Sequence, residues 1–265
     1  MLTPSTLLSN RYRIIRLHEM GRENPIHLAH DERLGNDVAI KENTHHDSDH
    51  QNQFRLEGVL LTNFIHPNIP RGIDFLDHEG RQFIVMDFIE GINLQQLIQR
   101  RKPRVDEIID WSTTLCDTLA YLHSRKPAII HRDVEPSNII LAPDGRVYLV
   151  DFGFAKVCRA ESEAILKKRG AAQTDTRSDQ YSLAATMYYL LTGAPPVDGL
   201  KRAMDNETLL PIRPPRPDLP PSVEKAIYRA LSIDPAERFS NIEDFKSAIM
   251  SNKKGEKRSI LKFWH

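Results

Sequence analysis

Apolar and polar positions alternate loosely from Arg11 to Leu17, a period of two that predicts a strand. Ile26–Ala29 and Val38–Lys41 predict two more, joined through the turn-forming segment Leu34-Gly35-Asn36-Asp37. From Gln53 to Asn63 the period lengthens. Phe54, Gly58 and Leu61 share one face, which predicts a helix. Gln82–Phe88 is an almost unbroken apolar run, the pattern of a buried strand. Beyond it the chain turns helical. Ile108, Ile109, Leu115, Leu119 and Leu122 keep near-helical spacing through Asp106–Ser124, which carries acids in its first turn. Gln180–Leu191 has too little polar face for a surface helix and predicts a buried one. Ser222–Ser232 and Ser240–Met250 predict two closing helices, the second opened by a Ser240…Glu243 capping box.

Two short apolar runs, Ile139–Leu141 and Val147–Val150, flank the turn Pro143-Asp144-Gly145 and predict a hairpin. Its mouths carry Asp133 and Asn138 on one side and Asp151 on the other. A hairpin would draw these oxygen donors together, and such donors suit hard Mg²⁺. A carboxylate left off the metal could orient a hydroxyl nucleophile. Glu57 borders the apolar stripe of its helix, where a carboxylate is costly unless paired. Lys41 is the expected partner.

Charge and composition narrow the classes. Lys+Arg and Asp+Glu both total 36 in 265 residues, so no bulk electrostatic pull towards nucleic acid is expected. At 40% hydrophobic content the chain can bury a large core as one domain or one bilobal unit. Two cysteines make no disulfide framework, no apolar run approaches a membrane span, and the first residues lack signal-peptide character. A cytoplasmic setting is the expectation. His45, His46 and His50, around Asp47-Ser48-Asp49, read as a solvated loop, with a metal site as the alternative.

His131-Arg132-Asp133 with Asn138, then Asp151-Phe152-Gly153, and upstream Val38-Ala39-Ile40-Lys41, together resemble the motifs of the protein-kinase family, most closely bacterial serine/threonine kinases of eukaryotic type. The resemblance runs from about residue 11 to residue 250. It implies an α+β, bilobal fold: a small strand-rich lobe over 1–88, a mainly helical lobe over 89–250, and a basic tail over 251–265. It implies ATP and Mg²⁺ as cofactors, and a protein substrate or partner protein. Lys41 would hold the α/β-phosphates, oriented by Glu57; Asn138 and Asp151 would bind Mg²⁺; Asp133 would orient the acceptor hydroxyl. Gly21, Ile26, Ala39 and Ile140 would line the nucleotide. The backbone of Asp87 and Ile89 would meet the adenine edge, and Asn93 the ribose. Arg132 would grip a phosphate on the following loop, where Ser162, Thr174 and Thr176 are candidate phosphosites.

The chain also departs from the family pattern. The three glycine places of the phosphate loop hold Glu19, Gly21 and Asn24, with Asn24 expected to keep the turn through positive φ, and Pro25 follows without an amide donor. No Ala-Pro-Glu triplet lies between Gly153 and Asp179, so Arg238 lacks its usual glutamate. Glu135 stands where relatives carry a lysine beside the γ-phosphate. The leading expectation is phosphoryl transfer to a serine or threonine hydroxyl. The alternatives are a pseudokinase that acts as a nucleotide-binding interaction module, and a kinase for a small molecule or a single substrate. Asp179 is expected either to cap its helix, in a Thr176-x-x-Asp179 pattern, or to anchor the backbone around Asp133.

Overall fold

The computed structural model describes residues 2–20, 24–158, 175–204 and 207–251. The chain divides into two compact units. One comprises Met1–Gly91, Ala142–Asp144 and Val150–Phe154; the other comprises Ile92–Leu141, Gly145–Leu149 and Ala155–His265.

The first unit is an antiparallel sheet carrying one helix. Strands β1 (Leu7–Leu8), β2 (Tyr12–Met20), β3 (Pro25–Asp31), β4 (Asn36–Glu42), β5 (Gly72–His78) and β6 (Arg81–Asp87) are ordered β1-β2-β3-β4-β6-β5. One face buries Leu8, Tyr12, Ile14, Ala29, Val38, Ile40, Phe83 and Val85. Helix α1 (Ser48–Asn63) lies against β5. Gly58 permits this approach: a Cβ there would stand 2.5 Å from the Phe75 ring.

Strand β2 runs past the predicted Leu17 to Met20, with irregular register between Ile14 and Arg16 and between Leu17 and Glu19. Its side chains are exposed from Ile15 onward, so no alternation marks this part. Helix α1 begins five residues before the predicted Gln53, because Asp47 caps it by accepting from the His50 amide. His50 therefore sits in an exposed first turn and not in a loop. Asn24 does not adopt positive φ; it is buried and its side-chain oxygen accepts from the Thr44 amide.

The second unit is mainly helical. Its elements are β7 (Ile92–Asn93), α2 (Leu94–Arg100), α3 (Val105–His123), β8 (Ala128–Ile130), β9 (Ile139–Leu141), β10 (Val147–Leu149), β11 (Lys156–Cys158), α4 (Arg177–Thr192), α5 (Gly199–Met204), α6 (Pro221–Ala230) and α7 (Ile242–Met250). The hairpin forms with Val147 opposite Leu141, and β7 adds a third strand beside β9. Helix α4 buries Leu183, Ala184, Met187, Tyr188, Leu190 and Leu191, and ends where Gly193 turns left-handed at φ 84°. Helices α3, α4 and α7 pack on one another. The cap of α7 is Asn241, which accepts from the Asp244 amide, one residue beyond the predicted Ser240. Among the described residues no helix is long and apolar enough to cross a membrane.

Candidate active site

Strand β4 runs between β3 and β6, so Lys41 rises from the interior of a sheet and its side chain is 5% exposed. Burying an ammonium is costly unless anions meet it. Two do. Lys41 Nζ donates to Glu57 Oε1 and Oε2 at 2.8 and 2.9 Å and to Asp151 Oδ1 at 2.7 Å. Helix α1 delivers Glu57, whose side chain is 2% exposed. Glu57 Oε1 also accepts the Phe152 amide at 3.2 Å.

Asp151 holds a left-handed backbone, φ 61°, and its Oδ1 accepts the Gly153 amide at 3.0 Å. A Cβ at residue 153 would stand 3.1 Å from that oxygen and 3.5 Å from Lys41 Nζ, so a glycine suits the turn. Phe152 is fully buried, its ring 5.1 Å from that of Phe64. Burial opposes the charge on Lys41, but the Glu57 and Asp151 carboxylates outweigh it and raise the lysine pKa. Burial lifts Glu57 above the usual carboxylate range, against the pull of Lys41.

The other expected nucleotide contacts of this unit lie along the same strands. Ile26 on β3 is opposite Lys41, and Ala39 is opposite Met86. Asp87 ends β6, and its amide donates to the Arg71 carbonyl. Ile89 is half-buried beyond it. Glu19 is exposed near the end of β2, and Gly21 lies outside the described residues.

The second unit builds its own cluster around Asp133. Fully buried Asp179 accepts the His131 amide at 2.9 Å and the Arg132 amide at 2.7 Å, and its Oδ2 lies 2.9 Å from His123 Nε2. Asp179 thus anchors the backbone around Asp133, while Thr176 makes no side-chain cap to α4. Arg132 takes φ 71° within this bend. Thr186 on α4 donates to the Val134 carbonyl at 2.9 Å. Asn138 Nδ2 donates to Asp133 Oδ2 at 2.8 Å and to its carbonyl at 3.0 Å. With the amide nitrogen so directed, the Asn138 carboxamide presents Oδ1 as its oxygen donor.

Glu135 accepts a short hydrogen bond from the Ser137 hydroxyl. Asn93 caps α2, accepting the Gln96 amide at 2.8 Å, and Ile140 on β9 lies opposite it. Thr186 and His123 carried no motif; both belong to helices whose apolar spacing hid their polar contacts.

Among the described residues Arg238 meets backbone carbonyls. It donates to Ser232, Ile233 and Arg177 oxygens at 2.9, 3.2 and 3.0 Å, and its guanidinium lies 4.8 Å from the Tyr181 ring centroid. At the start of α1, His45, Asp47 and His50 bring ligand atoms within 4.8 Å of one another. The helix cap, the His50–Asp47 contact at 2.8 Å and a 4.3 Å ring stack of His45 on His50 account for that grouping. Ser162, Thr174 and the tail from residue 252 lie outside the described residues.

The fit to ATP and Mg²⁺ rests on donor chemistry. Within the first unit Asp151 offers a carboxylate oxygen, a donor type that suits a hard cation, and Lys41 a held ammonium; within the second unit Asn138 offers a carboxamide oxygen.

Comparison with known proteins gives four findings. The protein kinase domain model matches residues 20–250. Serine/threonine-protein kinase PknI of Mycobacterium tuberculosis is 33% identical over 215 residues, covering 77% of this chain and 34% of that protein. Serine/threonine-protein kinase PrkC of Bacillus subtilis is 29% identical over 280 residues, covering 96% and 43%. The chain thus spans between a third and a half of these relatives' length. The solved structure titled PpkA-294 apo form superposes with a TM-score of 0.79 at 21% identity, covering 94% of this chain and 99% of that one, and so shares its fold.

Proposed function

Because this chain belongs to the protein kinase domain family, we propose that it transfers the γ-phosphoryl group of ATP to a serine or threonine hydroxyl. The observation that carries the reading is the grip of buried Lys41 by both Glu57 and Asp151. An ammonium fixed by two carboxylates is an oriented cation, and phosphoryl transfer depends mainly on positioning and charge stabilisation. In this reading Lys41 holds the α/β-phosphates and Glu57 keeps it in place. Asp151 and Asn138 would hold Mg²⁺ through one oxygen each, and the cation would supply charge neutralisation. Asp133, steadied by Asn138 and by the Asp179-anchored backbone, orients the acceptor hydroxyl and takes its proton. In this reading Ile26, Ala39, Asp87, Ile89, Asn93 and Ile140 contact the nucleotide, while Gly21, the further expected contact, lies outside the described residues. The setting is cytoplasmic and the acceptor is a protein.

A second reading is a nucleotide-binding module without transfer, favoured by Glu135 in a lysine's place and by the absent Ala-Pro-Glu triplet. Turnover of labelled ATP by the purified protein, with and without protein acceptors, separates the two. Mg²⁺-dependent turnover abolished by Asp151→Ala supports the enzyme. A Mg·ATP-dependent thermal shift without any turnover supports the module.

A further inference from the structure

Strands β2, β3 and β4 carry Glu19, Ile26 and Lys41 in one row. Glu19 is opposite Ile26, and Ile26 is opposite Lys41. Residues directly opposite one another in an antiparallel sheet project from the same face. The Glu19 carboxyl therefore belongs to the face that carries the Lys41 ammonium, two strand spacings away, or about 10 Å between backbones. Asp151 lies in the same compact unit. The Glu19 side chain is exposed, yet partial burial and then the negative charge of Asp151 lift its carboxyl above the usual carboxylate range. Glu19 is thus within electrostatic reach of the turn that meets Lys41.

Among the described residues, Glu19 has no hydrogen-bond or ion-pair partner. Lys41 is committed to Glu57 and Asp151. The basic groups nearest along β2 are engaged elsewhere: Arg16 Nη1 donates to the Leu17 carbonyl at 3.4 Å, and the His18 ring packs edge-on to Phe88 at 5.0 Å. Pro25, opposite Met20, has no N–H to offer an anion. A phosphate chain that approaches Lys41 across this row passes an unpaired carboxylate, where the resemblance expects an uncharged glycine. Like charges repel at that approach, and a divalent cation carried on the phosphates offsets the repulsion.

We propose that Glu19 makes this site select the cation-loaded nucleotide and reject the free nucleotide anion. The inference rests on the reading that Lys41 receives the phosphates of ATP. It turns a departure from the glycine pattern into a specificity determinant, through charge alone and without contact to the metal.

The test is isothermal titration calorimetry of the purified chain with ATP and with adenosine, each in Mg²⁺ and in chelator at fixed ionic strength. The readout is the ratio of ATP affinity with Mg²⁺ to that without. Glu19→Gln should lower this ratio by at least about fivefold, mainly by tightening metal-free ATP, and Glu19→Lys should lower it further. Adenosine, which carries no phosphate, should bind wild type and both variants within about twofold. Because the readout is a ratio within one protein, a general loss of folded material cancels.

Equal affinity of wild type for ATP with and without Mg²⁺, a ratio unchanged in Glu19→Gln, or an adenosine affinity that shifts as much as that of metal-free ATP overturns the inference while leaving ATP binding intact. Glu19-dependent selection in protein that phosphorylates no hydroxyl upholds the inference and overturns the transferase reading. Absence of ATP binding under every condition, in folded wild type and Glu19→Gln alike, overturns both.

Discussion

Lys41 sits where a lone ammonium would be intolerable, and its neighbours define what replacing it does. Removing one partner of a buried ion pair typically costs about 3–5 kcal/mol, because the other charge stays buried. Lys41→Met should destabilise the protein by about that amount and abolish the Mg·ATP-dependent thermal shift. The loss should depend on pH. Burial already raises the Glu57 pKa, and without Lys41 only the Phe152 amide opposes that rise. A carboxyl whose folded pKa lies above its unfolded value favours the folded state at low pH and loses that contribution as pH rises. The deficit of Lys41→Met against wild type should therefore be smallest near pH ~5 and grow towards pH ~8, read by urea unfolding. A deficit independent of pH would contradict this account.

Asp179 gives a second expectation. It satisfies two backbone amides beside Asp133, and a buried donor left unsatisfied costs about 1–3 kcal/mol. Asp179→Ala should cost roughly 2–5 kcal/mol and lower phosphate transfer by more than it lowers nucleotide affinity. At this scale the sequence disclosed Lys41 and Glu57 together, since a carboxylate on an apolar stripe demands a cation. It did not disclose that Asp151 reaches the same ammonium, because a turn such as Asp151-Phe152-Gly153 has no periodicity from which to read direction.

Among the elements, α1 matters most, because it carries Glu57 to the sheet. Gly58 is the point of closest approach, and overpacking typically costs about 1–3 kcal/mol. Gly58→Val should lower stability by about 2 kcal/mol or more, since a branched side chain meets the Phe75 ring, and should weaken nucleotide binding by displacing Glu57. Unchanged unfolding and unchanged affinity would show that α1 can shift without disturbing Lys41.

The end of β3 provides a pH probe. Asp31 accepts from Arg11 Nε and Nη2 and from the Arg33 and Leu34 amides, and these hydrogen bonds lower its pKa. A depressed carboxyl contributes stability above its unfolded pKa of about 3.9, lost as pH falls through the folded value. Asp31→Asn should therefore be less stable than wild type at pH 7, with the gap closing below pH ~4.

Long apolar elements were legible: β6, α3 and α4 follow from period and burial. The two-residue strands β1 and β7 and the seven-residue α2 are too short to show a period. The start of α1 was missed because its first turn is polar on every side, and only the Asp47 cap marks it. The Ser240 capping box was misplaced by one residue because Ser240 and Asn241 are both good caps and sequence does not rank them.

At the scale of the molecule, two units divide the chemistry. The first fixes Lys41, Glu57 and Asp151, and the second fixes Asp133 and Asn138. The family was legible because motifs of fixed order recur along the chain, while the sequence itself left open whether Asp179 caps a helix or anchors a bend. Arg238 shows the same limit. The Ala-Pro-Glu triplet expected to pair with it is absent from the sequence, and among the described residues Arg238 donates to three carbonyls and lies over the Tyr181 ring, which no motif marks. The account stands or falls on phosphoryl transfer. Purified protein incubated with Mg·ATP, alone and with protein acceptors, should yield phosphoserine or phosphothreonine by mass spectrometry, with the yield falling at least about 100-fold in Asp133→Asn. Transfer undiminished in Asp133→Asn, or no phosphorylated hydroxyl in folded wild-type protein that binds Mg·ATP, would contradict it.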